Sequence, residues 1–305
     1  MLPKKLKFGD TIGIISPASG KEEAVIRQKI NILESFGFRI KEGKHLYHRY
    51  GYLAGEDWQR AKDLMDMFLD KDVDAIFCFR GGYGSMRILP YIDWNLIKEN
   101  PKIFLGFSDI TVLLNYIYKH LGIITFHGPM VNSDLIEEYT LNSLLQNLMF
   151  GDGCYDISNP DDIACYSNFS AYCEGVLVGG NLSLICSTLG TPYEIDFKDK
   201  ILFIEDVDEA PYAIDRMLTQ LALSNKLNQC KGFILGQFKG CISKDIENSL
   251  TLDNIFKEKI LCHNKPTLMN FMAGHDTPKL TLPIGAKIAL DTLNNKIKIL
   301  DAVVK

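Results

Sequence analysis

Long apolar runs are missing from this chain, and no stretch approaches the ~20 residues of a membrane span. Long basic runs are missing too, and the formal net charge is −5. Neither nucleic acid nor a membrane is therefore expected as a partner. The first residues, Met1–Asp10, hold lysines but no uninterrupted apolar core, and they are not expected to form a secretory signal. No Cys-x-x-Cys pair occurs among the eight cysteines, several of which, such as Cys78 and Cys186, sit inside apolar runs. They read as reduced, mostly buried thiols of a cytoplasmic protein, with no structural zinc site. Internal repeats and low-complexity tracts are also absent.

What remains is a chain of 305 residues, 47% hydrophobic, long enough for two domains with a substantial core. In the first half, strand and helix patterns alternate. Thr11–Ser16, Val73–Phe79, Ile103–Phe107 and Ile123–Phe126 read as buried strands. Ile26, Ile30 and Leu33 mark one helix, preceded by Ser19 and Glu22 at capping-box spacing and stopped at Gly37. Trp58, Ala61, Met65 and Phe68 mark another. This alternation predicts a parallel, helix-covered sheet, which binds ligands at the carboxyl ends of its strands. Around Gly151–Asn168, Gly, Asp, Asn, Pro and Ser dominate, and Asn159-Pro160-Asp161-Asp162 is a strong turn signal. The expected organisation is an N-terminal domain over 1–150, a linker over 151–170 and a C-terminal domain over 171–305. In the last of these, Gly175–Val178, Lys200–Ile204 and Gly232–Leu235 read as strands, Pro211–Leu223 as a helix, and 287–290 with 296–299 as a hairpin around Asn294-Asn295.

Candidate chemistry falls where strands end. After Ile103–Phe107 comes Ser108, followed by a helical pattern from Thr111. A serine at such a turn is either a nucleophile raised above the sheet or an ordinary N-cap. The usual elbow glycine two residues later is replaced by Ile110. Arg80-Gly81-Gly82-Tyr83-Gly84 follows another strand, as an oxyanion or phosphate cradle or simply as a tight turn. Gly179-Gly180-Asn181 repeats the arrangement, and an asparagine N-cap accounts for it. Glu205 and Asp206 end an apolar strand, either paired in a cleft or opening a solvated loop. Of the six histidines, His275 in a Gly- and Pro-bounded loop and His127 at a strand end are the candidates. Serine, acid, then histidine is a hydrolase order that Ser108, Glu205 and His275 fit.

Taken in order, several segments resemble the LD-carboxypeptidase family of serine peptidases, which also includes the microcin C immunity peptidases. They are Ser16-Pro17-Ala18-Ser19, Arg80–Gly84, Gly106-Phe107-Ser108-Asp109-Ile110-Thr111 and Phe126-His127-Gly128-Pro129. Beyond these come Gly179-Gly180-Asn181-Leu182, Gly190-Thr191-Pro192, Ile204–Val207 with Asp215–Leu218, and Gly274-His275. The resemblance implies an α/β protein: a flavodoxin-like N-terminal parallel sheet covered by helices, and a C-terminal mixed α/β domain rich in β-structure. It implies a triad of Ser108, His275 and Glu205, with the oxyanion held by the N–H groups of Asp109 and Gly82. Arg80, Gly81, Tyr83 and Asn181 are the candidates for binding substrate. No cofactor or metal is implied. The expected substrate is a cytoplasmic cell-wall tetrapeptide losing terminal D-alanine, and the expected assembly is a homodimer. The alternative substrate is a peptidyl- or aminoacyl-nucleotide, and a non-catalytic binding module on the same scaffold is the reading from another class.

Overall fold

Thr11–Ile15, Ala75–Cys78 and Ile103–Gly106 are buried along their whole length, so the sheet they build needs cover on both faces. The structure, a computed structural model, describes residues 1–305. In it Arg39–Glu42, Thr11–Ile15, Ala75–Cys78, Ile103–Gly106 and Thr125–His127 lie side by side in that order, all parallel. That is the flavodoxin-like order, with its switch point between Thr11–Ile15 and Ala75–Cys78. Helices over Glu23–Ser35, Asp57–Leu69, Thr111–Leu121 and Glu138–Met149 alternate with the strands. Leu282–Ile284, from near the chain's end, adds an antiparallel edge strand beside Thr125–His127.

The second sheet has eight strands and is mixed. Tyr172–Asn181, Lys200–Val207, Gly232–Lys239 and Thr267–Met269 run parallel at its centre. The predicted hairpin forms as Lys287–Asp291 and Lys296–Ile299 on one flank. One buried apolar cluster of 62 residues runs through both sheets, from Ile12 and Phe104 to Phe203 and Ile288. A second cluster of 20 residues fills the space under Pro211–Leu223. No helix is long and apolar enough to cross a membrane.

Two expectations are corrected. The segment 151–170 is not a free linker: Tyr155–Ser158 pairs with Lys296–Ile299, and Tyr166-Ser167 pairs with Leu268-Met269. Both are short edge strands, only partly buried, and so carry little apolar signal. The capping box at Ser19 and Glu22 does not form, because Glu22 caps the helix without a side-chain bond and Ser19 faces another loop.

The sheets meet where the helix Thr111–Leu121 packs on the strand Tyr172–Asn181. Asn115 clamps the Gly179 backbone, donating to its carbonyl at 2.8 Å and accepting its N–H at 2.9 Å. The Asn181 N–H donates to Thr111 Oγ1 at 3.0 Å. Backbones approach this closely only because glycine is present. Gly179 has φ +126°, and a Cβ there would overlap the Phe203 carbonyl oxygen; one at Gly180 would strike the Thr111 side chain. Gly179→Ala is expected to lower stability by about 2 kcal/mol or more in urea denaturation, since it adds backbone strain to a steric overlap. A variant with wild-type stability would show that the contact is loose.

Candidate active site

Past Ile103–Gly106 the chain turns through an extended Phe107 into a single 3₁₀ turn, Ser108–Ile110, which feeds the helix Thr111–Leu121. Ser108 has φ +62°, a left-handed conformation that costs a non-glycine residue about 1–3 kcal/mol. Packing beneath holds it there. A Cβ on Gly106 would lie 2.7 Å from the Ile110 side chain, so Ile110 occupies the space that a second elbow glycine leaves open. The Asp109 side chain turns into the protein, 1% exposed, and accepts the Ser85 N–H at 2.7 Å. Burial raises its carboxyl pKa, while the hydrogen bonds from Ser85 oppose the rise.

The Arg80–Gly84 turn lies at the sheet's switch point and reaches this serine. A Cβ on Gly81 would sit 3.1 Å from Ser108 Oγ and 3.3 Å from the Asp109 nitrogen. Gly82 has φ +109°, and a side chain there would run into Ser19. Ser19 braces the turn, accepting the Tyr83 N–H at 3.1 Å and donating its own N–H to the Gly81 carbonyl at 3.3 Å. From below, Arg60, 1% exposed, donates to the carbonyls of Pro17, Gly55 and Gly84 and pairs with Asp57. One guanidinium thus ties three loops together. The N–H of Gly82 donates to no protein carbonyl.

The second sheet supplies an acid and a base. Glu205 is fully buried on Lys200–Val207, and its Oε2 lies 2.6 Å from His275 Nδ1. Gly236 and Gly274 make room for it, since a Cβ on either would come within 3.2 Å of the Glu205 side chain. Its Oε1 has no hydrogen-bond partner. His275 packs edge-on against Phe107 at 4.9 Å between ring centres, leaving Nε2 as the free nitrogen. No hydrogen bond joins His275 to Ser108. Asp206, the neighbouring acid, does not open a solvated loop: it is 2% exposed and accepts from Asn181 Nδ2 and from the N–H and hydroxyl of Ser183. His127 is fully buried between Phe107 and Phe203, and neither ring nitrogen has a partner. Burial, reinforced by the charge of Lys279, drives its pKa well below the usual histidine value.

Ser108 and His275 line one cavity of about 280 Å³, together with Arg80, Gly81, Gly82 and Phe107. Asn132, Asp134, Thr277 and Lys279 complete much of its wall. These four escape a sequence reading, although the loop holding Asn132 and Asp134 follows the strand end at His127, where a ligand-binding loop belongs. Lys279 has no such signal, being one lysine before an apolar run. Its side chain is buried all the same: Nζ donates to the Gly274 carbonyl and, at 3.2 Å, to that of Asp276, and it sits 4.3 Å from the Phe107 ring centre. Two expected substrate contacts lie outside the wall. Asn181 caps the helix Leu182–Ser187 and donates to Asp206, and Tyr83 is half exposed against Tyr52. No group of three or more His, Cys, Asp or Glu side chains is placed to hold a metal ion.

A doubly wound sheet carrying a left-handed serine, joined to a mixed sheet that presents His275, backed by the buried Glu205, to the same cavity, defines a two-sheet α/β protein with its candidate site at the junction. Comparison with known proteins narrows this further. Residues 12–128 match the LD-carboxypeptidase N-terminal domain and residues 174–290 the LD-carboxypeptidase C-terminal domain. The chain is 42% identical to a probable murein peptide carboxypeptidase of Bacillus subtilis, covering 95% of this chain and 91% of that one. It is 31% identical to the murein tetrapeptide carboxypeptidase of Pseudomonas aeruginosa, covering 92% of each. A solved structure of MccF in complex with glutamyl sulfamoyl guanosine superposes with a TM-score of 0.92 at 26% identity, over 100% of this chain and 99% of that one. The chain belongs to the LD-carboxypeptidase family of peptidases.

Burial of Lys279 has a measurable signature. Desolvation pulls its pKa from 10.5 down to about 8, against the attraction of Glu205. Between these values the unfolded chain holds a proton that the folded chain has lost, so stability rises with pH across the window. Relative to Lys279→Met, the wild type is expected to gain on the order of 2 kcal/mol from pH 8 to 10.5 in urea denaturation. A difference that stays flat would mean that Lys279 titrates as if in water.

Proposed function

We propose that the chain is a serine carboxypeptidase that removes the terminal D-alanine from a murein tetrapeptide through an acyl-enzyme. One observation carries the reading: His275, held 2.6 Å from the buried Glu205, lines the cavity that also contains Ser108. In this reading Ser108 Oγ attacks the carbonyl joining an L-configured centre to the D-residue. His275 Nε2 takes the hydroxyl proton and returns it to the departing amine, and water then cleaves the ester by the same route. Glu205, bonded to Nδ1, holds the ring and stabilises the imidazolium. The oxyanion is received by the Asp109 and Gly82 N–H groups. The names of the Bacillus and Pseudomonas relatives support the substrate class. Residues 1–150 would then supply the nucleophile and residues 171–305 the acid and base, in a cytoplasmic homodimer as the resemblance implies.

The similarity to MccF favours a second reading, cleavage of an aminoacyl-nucleotide by the same residues. Against it, neither tryptophan lines the cavity: Trp58 packs on His45 and Trp94 on Tyr116. A parallel assay of D-alanine release from a tetrapeptide and of amino-acid release from an aminoacyl sulfamoyl adenosine separates the two. D-alanine release is the expected activity, and Ser108→Ala is expected to lower kcat at least ~10⁴-fold with the fold intact. Turnover that survives the substitution rules out this nucleophile. A wild type inert toward both substrates supports a binding module.

A further inference from the structure

Lys279 is a buried cation without a counter-ion. Its residue is 5% exposed, yet its Nζ meets only the carbonyls of Gly274 and Asp276 and the face of Phe107. An ammonium carries three donors, so one is left without a protein acceptor. Glu205 and Asp276 both attract it, but neither carboxylate contacts Nζ: Glu205 is held by His275, and Asp276 pairs with Lys239 at 3.1 Å. Such a charge is costly to bury unless something anionic completes it. The cavity wall has the same bias. Arg80 also lacks a carboxylate partner, donating to the Gly20 carbonyl at 3.2 Å, and Asp134 is the one acid lining the space.

Position decides what the anion would be. The two carbonyls that hold Nζ belong to the residues on either side of His275, and the ring beneath it belongs to the residue before Ser108. An anion bound there would share the cavity with Ser108 and His275. In a peptide cleaved at its last bond, that place is filled by the α-carboxylate of the departing residue. We infer that Lys279 binds the terminal carboxylate of the peptide substrate, with Arg80 as the second cation of the wall, and that this contact makes the site an exopeptidase. The inference rests on the peptidase reading above.

The test compares a tetrapeptide bearing a free terminal carboxylate with the same peptide as its C-terminal carboxamide. The quantity read is the ratio of the two kcat/KM values. The wild type is expected to prefer the acid, and Lys279→Met to reduce that ratio about 30-fold or more, through KM for the acid. Lys279→Arg, which keeps the charge, is expected to retain most of the preference. If Lys279 merely positions the His275 loop, both substrates fall together and the ratio holds, which overturns the inference. Should Lys279→Met fail to fold, product inhibition of the wild type decides: D-alanine is expected to inhibit at least ~10-fold better than D-alaninamide, and equal inhibition overturns the inference. A wild type that cleaves neither peptide overturns the peptidase reading and this inference with it. Cleavage with no preference for the acid overturns this inference alone.

Discussion

The close contact between the Thr111–Leu121 helix and the Gly179–Asn181 end of its neighbouring strand is the constraint on which the rest of the molecule depends. That helix begins three residues after Ser108, so its position sets the serine's position. In the strand register, Asn181 stands opposite Glu205, so the same contact sets where the carboxylate lies. Asn115 and Thr111 make the join polar and directional, and two glycines let it be close. A packed interface of this kind has little room to slide, because every displacement leaves a buried donor or acceptor unpaired. The shared apolar cluster beneath it extends the rigidity through both sheets.

Burial then assigns different tasks to side chains of similar chemistry. His275 and His127 both edge onto Phe107, but only His275 meets a carboxylate and opens on the cavity. His127, enclosed by aromatic rings and near the charge of Lys279, is kept neutral and without a hydrogen-bond partner. Glu205 and Asp206 are adjacent on one strand and therefore point to opposite faces. One face brings Glu205 to the histidine, and the other brings Asp206 to the Asn181 and Ser183 helix start. The pair that reads as a charged loop is in fact divided between the site and its scaffold.

Periodicity made much of this architecture legible. Unbroken apolar runs at Thr11–Ile15 and Ala75–Cys78 mark a parallel sheet covered on both faces, and the hairpin around Asn294-Asn295 and the helix from Pro211 stand where their patterns place them. Legibility fails where the signal is local but the partner is distant. Ser19 and Glu22 have the spacing of a capping box, yet the Ser19 hydroxyl accepts from Tyr83, 64 residues away. Tyr155–Ser158 and Tyr166-Ser167 read as linker because edge strands need backbone partners more than apolar side chains. Asn181 lies close to the site along the chain, but its amide is bound to its own helix and to Asp206.

By itself the sequence determined the fold class, the places where strands hand over to turns, and the family, since the order of short motifs along the chain carries all three. Residues that depend only on local backbone, such as a serine after a strand or a glycine-rich turn, belong to that set. Tertiary structure alone decided which of them share a cavity, which histidine meets an acid, and that Lys279 stands in the cavity wall without a counter-ion. The reason is physical: hydrogen bonds and desolvation act over a few ångströms in space. Glu205 and His275, 70 residues apart, are brought to 2.6 Å only by the packing of the second sheet.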